Sequence, residues 1–518
     1  MKKTHIYLLA SVLTFSAVSC NDWMNVDPAG QQNATNYWAN AGEVEAVLGT
    51  AYRNMRTAVT NRTYINWGEM RGNGLGVLET NAYDIRTGDI LPSNALCKWS
   101  DLYNVIGMAN SVIDYAPTVV EKDASITEGE MRSIVAEAHF LRALSYLTLV
   151  RTFKDVPYVT HSYVTDDANF WLPKTDGDSI LRAELALMQP YLENAREFFP
   201  DEADNKGRAT RWALYTVMAD MYLWLSASDY DSGNSASDLQ NCINCCDAVL
   251  TSGRVGLIDG SLWFTNFFPG NSNESIFELQ FSNALAQTNS FMSWFGGTDE
   301  ALTASSGQYY YVSTVSLFRF ASWLTPGDVR GDGASYASTT STVPQTTVWK
   351  FYGSDTQNTA RNDTENDQNW IIYRLAEVYL MKAEALALQG DLDGALAALN
   401  EVRERGGSEP LERAQYGSKY AVIEAIINER SIEFLGEAKN WYDLLRTGLR
   451  YQDPEFGSLY QQLFFDEAVN GLPSVSAALV RSKLRRNIPY SWYLPIHTDE
   501  LAANPSLVQN PAYANLGD

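Results

Sequence analysis

Two stretches of the sequence combine aromatic side chains with amide and guanidinium groups, a mixture suited to binding carbohydrate. Sugar rings present flat C–H faces ringed by hydroxyls, so a binder needs exposed aromatic rings and a few polar partners. The first stretch, residues 63–84, is rich in glycine, and the second spans residues 291–323. From both stretches we predict these ligand-contacting residues: Trp67, Arg71, Asn73, Tyr83, Trp294, Phe295, Tyr309, Tyr310 and Trp323.

Trp294 is the strongest single candidate among these aromatic residues. Two glycines follow it closely, at positions 296 and 297, and it belongs to no helical stripe of apolar residues. For each ring the alternative is burial against a scaffold, since tryptophan and tyrosine are often interior. Trp99 and Trp441 lie inside helical patterns, and we assign both to the core.

Short motifs of several enzyme classes are missing from the sequence. It contains no HExxH, GxSxG or glycine-rich phosphate loop, which removes the basis for zinc-protease, serine-hydrolase and nucleotide-dependent chemistry. His139 lies between Ala138 and Phe140 in a helical pattern and is interpreted as structural. A glycosidase stays open as a third interpretation, because its two carboxylates need no fixed spacing and 62 acidic residues are available. We expect a binding protein that is not an enzyme.

Two clusters of potential metal ligands occur, and neither fits a metal site well. The cysteine cluster at 242–246 lies in a helical pattern without a nearby histidine or a second CxxC, so we interpret it as part of a helix interface. Asp363, Glu365 and Asp367 alternate in a polar stretch without the glycine and distal glutamate of an EF-hand, which favours a solvated loop over a calcium site. We predict no metal and no cofactor.

The first 19 residues have the pattern of an export signal. Lys2 and Lys3 precede an apolar run that is too short to span a bilayer. Small residues before Cys20 resemble the lipobox of bacterial lipoproteins, in which the cysteine becomes the lipidated N-terminus. The alternative is an ordinary secretory signal with an incidental cysteine. We predict lipidation of Cys20 and a membrane tether through it.

The chain is strongly acidic, with a formal net charge of −24 at pH 7. Loss of the signal removes Lys2 and Lys3 and no acid, which gives −24 − 2 = −26. Nucleic acids and anionic lipids are bound through basic patches, and no suitable run of lysine and arginine occurs. We therefore expect no nucleic-acid partner, and an acidic surface also weakly disfavours acidic glycans.

The elements that must position the candidate residues are mainly helical. The central segment, residues 254–370, lacks a helical pattern. Helical periodicity predicts helices at Glu43–Thr57, Trp99–Asp114, Met131–Phe153, Asp178–Phe199, Arg211–Ala227 and Asp238–Leu250. In residues 254–370, 20 of 117 residues are aromatic, and this segment is too rich in glycine, serine and threonine to be mainly helical. Alternation predicts two strands there, Ile276–Phe281 and Thr347–Tyr352.

The clearest helical pattern is the stretch 371–407, interpreted as two helices. Gly390 can take a left-handed cap, and Asp391 can accept N–H groups of the second helix. Ala383 and Ala395 permit the close contact of a tetratricopeptide (TPR) hairpin. Such a hairpin cannot bury its apolar faces alone. We predict an all-α dominated fold of about four TPR-like hairpins, with an irregular, loop-rich subdomain that contains a few short strands.

Charged residues of the hairpin and of a later helical pattern are interpreted as scaffold. A carboxylate and an arginine on neighbouring helices form charge-assisted hydrogen bonds that hold packing angles. The residues concerned are Glu377, Glu384, Glu437, Asp443 and Arg446.

Several separated segments resemble the SusD/RagB family of outer-membrane nutrient-binding lipoproteins. Among them are AEAHFLRALSYLTLVRTFKDVPYV, YRLAEVYLMKAEAL with ALAALNEVRERGG, NERSIEFLGEAKNWYDLLRTG, and the C-terminal YLPIHTDELAANPSLVQNPAY. The segment EVEAVLGTAYRNM resembles part of the family's N-terminal opening. Departures are small: Ala438 stands where glycine is common, and His497 where proline is common. The central aromatic segment matches least.

The resemblance implies a fold, a location and a partner. It implies a single α-rich domain whose members sit on the outer face of the outer membrane. They bind glycans, or occasionally peptides, close over a SusC-like TonB-dependent barrel, and are not catalysts. We therefore expect a surface-exposed lipoprotein that captures an oligosaccharide and delivers it to such a transporter. The alternatives are a TPR-type structural or interaction protein and a peptide-binding RagB-like lipoprotein.

The expected domain organisation follows from the same reading. A lipoprotein signal peptide occupies residues 1–19, and one SusD-like domain occupies 20–518. Within this domain the helical scaffold comprises 42–253 and 371–450. The ligand-binding insertion is 254–370, and a C-terminal tail covers 451–518.

Overall fold

The computed structural model describes residues 37–163, 169–295, 309–338, 346–354, 361 and 365–514. Cys20, the segment that precedes it and Asp363 lie outside the described residues. Within these ranges, no helix combines the length and apolar character needed to cross a lipid bilayer.

Helices make up most of the described chain. In chain order they are α1 (Ala41–Thr60), α2 (Thr63–Glu69), α3 (Thr80–Thr87), α4 (Ser100–Val119), α5 (Glu128–Phe153), α6 (Gly177–Met188), α7 (Glu202–Gly207), α8 (Arg211–Ser228), α9 (Ser235–Leu250), α10 (Phe291–Phe295), α11 (Thr314–Trp323), α12 (Leu375–Gln389), α13 (Leu392–Gly406), α14 (Lys419–Glu433), α15 (Asn440–Leu449), α16 (Gly457–Val469), α17 (Ser474–Leu484) and α18 (Thr498–Ala503). Short 3₁₀ turns, such as Met70–Gly72, connect several of them.

Helix α5 is the central helix of the first half. Its N-terminus is a capping box, in which Thr127 Oγ1 accepts the Glu130 N–H and the Glu130 carboxylate accepts the Thr127 N–H. From Met131 to Phe153 nearly every residue is buried, as expected for a helix that is apolar on most sides. Neighbouring helices therefore pack around α5.

The helical pairs expected of a TPR-like scaffold are present. Consecutive helices pack in the pairs α4–α5, α8–α9, α12–α13 and α14–α15, and α9 also packs on α12. At the α12–α13 turn Gly390 has φ of 95°, and the Asp391 side chain accepts the Gly394 N–H at 2.9 Å. The predicted fold class and the predicted cap are confirmed.

Buried ion pairs hold the later hairpins together, in line with the scaffold interpretation. Arg446 donates to Glu384 at 2.6 Å and to Asp443 at 3.0 Å, and all three side chains are buried. Glu437 accepts from Arg374 at 2.9 Å and from Lys350 at 2.6 Å. These pairs fix packing angles between helices, and their carboxylates are fully engaged.

Short antiparallel strands form three small sheets. The strands are β1 (Leu75–Val77), β2 (Val156–Pro157), β3 (Lys174–Thr175), β4 (Ser275–Leu279), β5 (Tyr310–Val312), β6 (Ala337–Ser338), β7 (Thr346–Thr347) and β8 (Trp370–Arg374). The largest sheet has the order β1-β5-β7-β6, and the other two are the pairs β2-β3 and β4-β8. Strand β4 agrees closely with the predicted strand at 276–281.

Three predicted elements differ from the structure. The helix predicted to reach Phe199 ends at Met188, where Pro190 lacks the N–H needed to continue it. Residues 371–374 were predicted as helical, but they pair with β4 as part of β8. The strand predicted at 347–352 ends at Thr347, because Trp349–Phe351 folds into a buried 3₁₀ turn.

Candidate functional site

The structure brings the two predicted aromatic stretches together on one side of the molecule. Strand β1 of the first stretch pairs with β5 of the second, with Gly76 opposite Tyr311. The pairing continues beyond both strands, since the Ser313 N–H donates to the Gly74 carbonyl at 3.1 Å. Residues far apart in sequence thus share one surface, which α11 extends.

Gly76 is required at the centre of this pairing. A Cβ atom at position 76 would lie 2.1 Å from Cζ of Tyr311, because the tyrosine ring lies directly over the strand backbone. Any other residue would displace the ring. The glycine-rich composition of the first stretch therefore reflects packing at this point.

Trp294 and Phe295 are interior residues and not exposed platforms. The Trp294 side chain is 3% exposed, with its ring centroid 4.9 Å from that of Phe291. Phe295 is fully buried and stacks on Phe351 at 4.5 Å. The expectation of an accessible ring at Trp294 is wrong, because the short helix α10 directs both rings into the core.

Trp67 and Tyr310 are also buried, and their polar atoms are satisfied within the protein. Trp67 Nε1 donates to the Leu96 carbonyl at 2.6 Å. The Tyr310 hydroxyl donates to Asn66 Oδ1 at 3.0 Å. Neither ring has a face open to a ligand.

Asn73 connects the first stretch to a helix near the C-terminus. It is 1% exposed and adopts a left-handed conformation with φ of 58°. Its Nδ2 donates to the Glu467 carbonyl at 2.7 Å, which ties the loop to the end of α16. Asn73 therefore positions the neighbouring surface and does not face solvent.

The other candidates keep accessible surface or face a cavity. Tyr83 is 52% exposed, and Tyr309 is half-buried with the Arg62 guanidinium carbon 3.7 Å from its ring centroid. Trp323 is half-buried, and its Nε1 donates to Glu429 at 2.7 Å. Arg71 faces a cavity described below. Ligand contact by these four residues stays a prediction.

An open groove lies along α11 and has a volume of about 440 Å³. We call it the α11 groove; its main lining residues are Phe318, Arg319, Trp323, Asn428, Glu467 and Asn470. Phe318 is 76% exposed, the highest value among the aromatic side chains of the described ranges. An exposed ring beside the half-buried Trp323 gives this groove an aromatic platform within the predicted stretch 291–323.

The polar groups of the α11 groove suit a neutral ligand rich in hydroxyls. Arg319 donates to Glu467 at 2.6 Å, so the two charges compensate each other. The side-chain amides of Asn428 and Asn470 make no hydrogen bond to any described residue, which leaves donors and acceptors free for a ligand. Ser322 adds a hydroxyl at the same surface.

Sequence reasoning named Trp323 of this groove but missed Phe318, Asn428 and Asn470. One local signal was available for Phe318. In the pattern TVSLFRFASW, Phe320 and Ser316 face the core, whereas Phe318 shares the outer face with Ser322 four residues on. The two asparagines come from α14 and from the end of α16, and no local pattern places them beside α11.

A second cavity has a volume of about 370 Å³ and is lined in part by Ala468 of α16. It is enclosed by the 3₁₀ turn 70–72 and by α3, α15, α16 and α17, and we call it the α17 cavity. Arg71 faces it, next to Trp441. Its composition differs from that of the α11 groove, because basic and aliphatic side chains predominate.

The remaining candidate groups are structural. The cysteines of the 242–246 cluster are free and buried in α9, as expected of a helix interface. His139 is buried beside Tyr191, and burial lowers its pKa to about 3. Asp367 accepts the Asn283 N–H at 3.0 Å. In the part of the chain that the structure describes, no group of three or more potential ligands is placed to hold a metal ion.

Family models match almost the whole chain. The model described as the SusD family matches residues 223–513. A second model, described as "Starch-binding associating with outer membrane", matches residues 25–223. The two matches adjoin at residue 223, within α8.

Similar curated proteins have comparable length. SusD-like protein P25 of Formosa agariphila is 25% identical over 97% of both chains. A SusD-like protein of Bacteroides ovatus is 26% identical over 87% of this chain and 83% of its own. The similarity therefore extends over the scaffold and the central segment together.

Solved structures share the fold at low sequence identity. A SusD homologue from Bacteroides thetaiotaomicron superposes with a TM-score of 0.73 at 23% identity, over 92% of this chain and all of its own. Surface glycan-binding protein A from Bacteroides uniformis gives 0.70 at 19%, over 91% and 99%. A laminarin-binding SusD-like protein gives 0.67 at 23%, over 92% and 100%. At these identities the superpositions show the fold alone.

Proposed function

The chain belongs to the SusD family, and we propose that it is a surface lipoprotein of the outer membrane that captures oligosaccharides and delivers them to a SusC-like TonB-dependent transporter. The observation that carries the ligand class is the α11 groove, with its exposed Phe318 ring beside unpaired amide groups. The family description, which names starch binding and the outer membrane, supports the same assignment.

The physical argument for a sugar rests on Phe318. A ring that is 76% exposed keeps apolar surface in water, and covering it with the C–H face of a sugar removes that surface from solvent. Trp323 provides a second, partly accessible ring on the same helix. The spacing of five residues along α11 places both rings beside a groove that holds a short oligosaccharide.

The polar lining supports a neutral glycan. A side-chain amide can accept a hydrogen bond from one sugar hydroxyl and donate one to another. Asn428 and Asn470 offer two such amides, which have no partners among the described residues. The Arg319–Glu467 pair is charge-compensated and offers further acceptor and donor positions. An acidic sugar would place its carboxylate near Glu467 without a free cation in the groove.

We also propose that the protein binds without turnover. Glycoside hydrolysis requires two carboxyl groups on opposite sides of the scissile bond. Among the described residues that line the α11 groove, Glu467 is the only carboxylate, and Arg319 holds it at 2.6 Å. A carboxylate engaged in this way serves as a ligand contact rather than as an acid or nucleophile.

Delivery follows from the tether and from the family. Lipidation of Cys20 would hold the domain at the membrane surface, and the family resemblance implies a barrel partner. Purification of the native lipoprotein in a mild detergent should recover a TonB-dependent transporter with it. Repeated recovery of the lipoprotein alone would contradict the delivery role and leave a free-standing binder.

The ligand class is tested with the soluble domain and a panel of neutral oligosaccharides, among them starch- and laminarin-derived fragments, next to a panel of peptides. We expect calorimetric binding to at least one neutral glycan and unchanged chain length of that glycan after long incubation. Binding of peptides alone would contradict the sugar assignment. Release of shorter sugars would contradict binding without turnover.

A further inference from the structure

We propose that the α17 cavity is a second binding site, which takes an organic carboxylate with an apolar body and holds its anionic group on Arg71. This site is separate from the α11 groove and does not depend on it. The two sites are lined by different residues of α16, Ala468 in the cavity and Glu467 in the groove.

Arg71 is a buried cation without a compensating anion among the described residues. Its side chain is 7% exposed, and its guanidinium carbon lies 4.3 Å from the Trp441 ring centroid. It makes no hydrogen bond and no ion pair to any residue of the described ranges. Burial lowers its pKa, which is the direction expected for a cation withdrawn from water.

Other buried arginines of this protein show how unusual that arrangement is. Arg374 donates to Glu274 at 2.8 Å, and Arg446 donates to Glu384 at 2.6 Å. Uncompensated charge in a protein interior is costly, so buried arginines normally have carboxylate partners. Arg71 faces a cavity where the other arginines have a carboxylate. An anion that enters the cavity would supply the missing partner.

The cavity wall strengthens the preference for an anion. Arg86, Lys483 and Arg486 also line it, and its single acidic residue, Asp89, is paired with Lys483. Arg86 Nε is buried and has no hydrogen-bond partner. Arg71, Arg86 and Arg486 thus line one cavity in a chain whose net charge is −24, and the Arg86 side chain also hydrogen-bonds to Tyr311.

The rest of the wall determines what carries the anionic group. Ile85, Ile90, Leu91, Val480 and Leu484 supply the aliphatic part of the wall. Leu91 at the rim is 53% exposed, so the cavity opens to solvent beside it. A volume of about 370 Å³ accommodates a small ring or short chain with one carboxylate. A planar carboxylate also matches the fork geometry of arginine.

Two sources supply this chemistry: a free small organic acid, or an acidic sugar at the end of a glycan. Benzoate and trigalacturonate represent the two sources, and benzamide and maltotriose are their neutral counterparts. Calorimetric titrations of the full mature chain at low salt compare the four compounds. We expect an acid to bind more tightly than its neutral counterpart, by about 30-fold or more.

The critical variant is Arg71→Gln, which keeps a polar side chain and removes the charge. We expect it to lose about 30-fold or more in affinity for the bound acid. Arg62→Gln is the matched control, because Arg62 also stacks on an aromatic ring, that of Tyr309, but lies outside the cavity. It should bind the acid like the natural protein.

Thermal unfolding separates a lost site from a lost fold. Without ligand, Arg71→Gln should unfold at the same temperature as the natural protein or higher, because removing an uncompensated buried charge offsets the lost contact with the Trp441 ring. Benzoate or trigalacturonate should raise the melting temperature of the natural protein and not that of the variant. Arg71→Lys, which keeps the charge but loses the fork, should bind the acid with intermediate affinity.

The acid whose affinity depends on Arg71 identifies the source of the ligand. Preference for benzoate assigns the cavity to small organic acids, and preference for trigalacturonate assigns it to acidic sugars. Equal binding of each acid and its neutral counterpart, or unchanged affinity in Arg71→Gln, would overturn the proposal.

Discussion

The Tyr310 hydroxyl donates a hydrogen bond of 3.0 Å to Asn66 Oδ1, joining residues 244 positions apart in the sequence. This contact links strand β5 to helix α2 and lies at the junction of the two aromatic stretches. The two stretches pack closely at this junction, and Trp67, Trp294 and Tyr310 are buried there. The exposed ring of this surface comes from the next element, helix α11.

Burial of Trp294 leads to a stability prediction. Trp294→Ala removes a ring that contacts Phe291 and Trp370, and we expect it to destabilise the protein by about 3–5 kcal/mol. Urea unfolding measures the change. Phe318→Ala, at an exposed position, should change stability by less than about 1 kcal/mol. Equal stability of the two variants would show that Trp294 is not core.

The buried ion pairs of the scaffold predict a large effect at Arg446. Arg446→Met leaves Glu384 without its closest cation in the interior, so we expect a loss of about 3–5 kcal/mol in the free energy of unfolding. Lys98→Met is the control, because its pair with Asp499 is solvent-exposed and should contribute little to stability. Similar losses in both variants would contradict the assigned role of Arg446.

Glu69 predicts how stability depends on pH. Burial raises its pKa to about 8, from an ordinary value of 4.5; Lys350 opposes this shift, and Glu437 adds to it. Between these two values the folded protein binds a proton that the unfolded chain does not, so this contribution to stability is complete below pH 4.5 and is lost as the pH rises toward 8.

Glu69→Gln isolates that contribution. Glutamine has the same shape and no proton to lose, so the variant should lose less stability than the natural protein between pH 5 and pH 8. Urea unfolding at the two pH values provides the comparison. Parallel losses in both proteins would show that Glu69 ionises normally in the folded state.

Local interactions explain which elements the sequence predicts well. Helices α1, α4, α5, α8 and α9 follow from periodicity, and the Gly390 cap follows from backbone conformation, since each depends on neighbouring residues. The burial of Trp294 depends on β1–β5 pairing and on Phe351 and Trp370, which are distant in sequence. Composition alone therefore could not show that Trp294 and Phe295 are buried.

The candidate site shows the same limit. Trp323 was predicted because it is aromatic, whereas Asn428 and Asn470 approach it through the packing of α14 and α16 against α11. Arg71 was predicted as a sugar contact, and its unpaired charge became apparent only from the lack of a carboxylate among the described residues around it. Tyr83 and Tyr309 keep accessible surface, and their contact with a ligand stays a prediction.

The membrane tether is tested at Cys20. Cys20→Ser removes the thiol that would carry the lipid, so the variant should lose metabolic fatty-acid labelling and be released from the membrane fraction. Cys97→Ser is the matched control, because that thiol is buried and should leave labelling unchanged. Labelling that persists in Cys20→Ser would contradict the tether.

The central claim is that the α11 groove binds a neutral oligosaccharide, and calorimetric titration of Phe318→Ala tests it most directly. We expect this variant to lose about 1–3 kcal/mol of binding free energy, the scale of a central aromatic anchor, with unchanged thermal unfolding. Phe198→Ala removes another exposed phenylalanine, 52% accessible and outside the groove, and should bind like the natural protein. Equal affinity of Phe318→Ala and the natural protein would contradict the account.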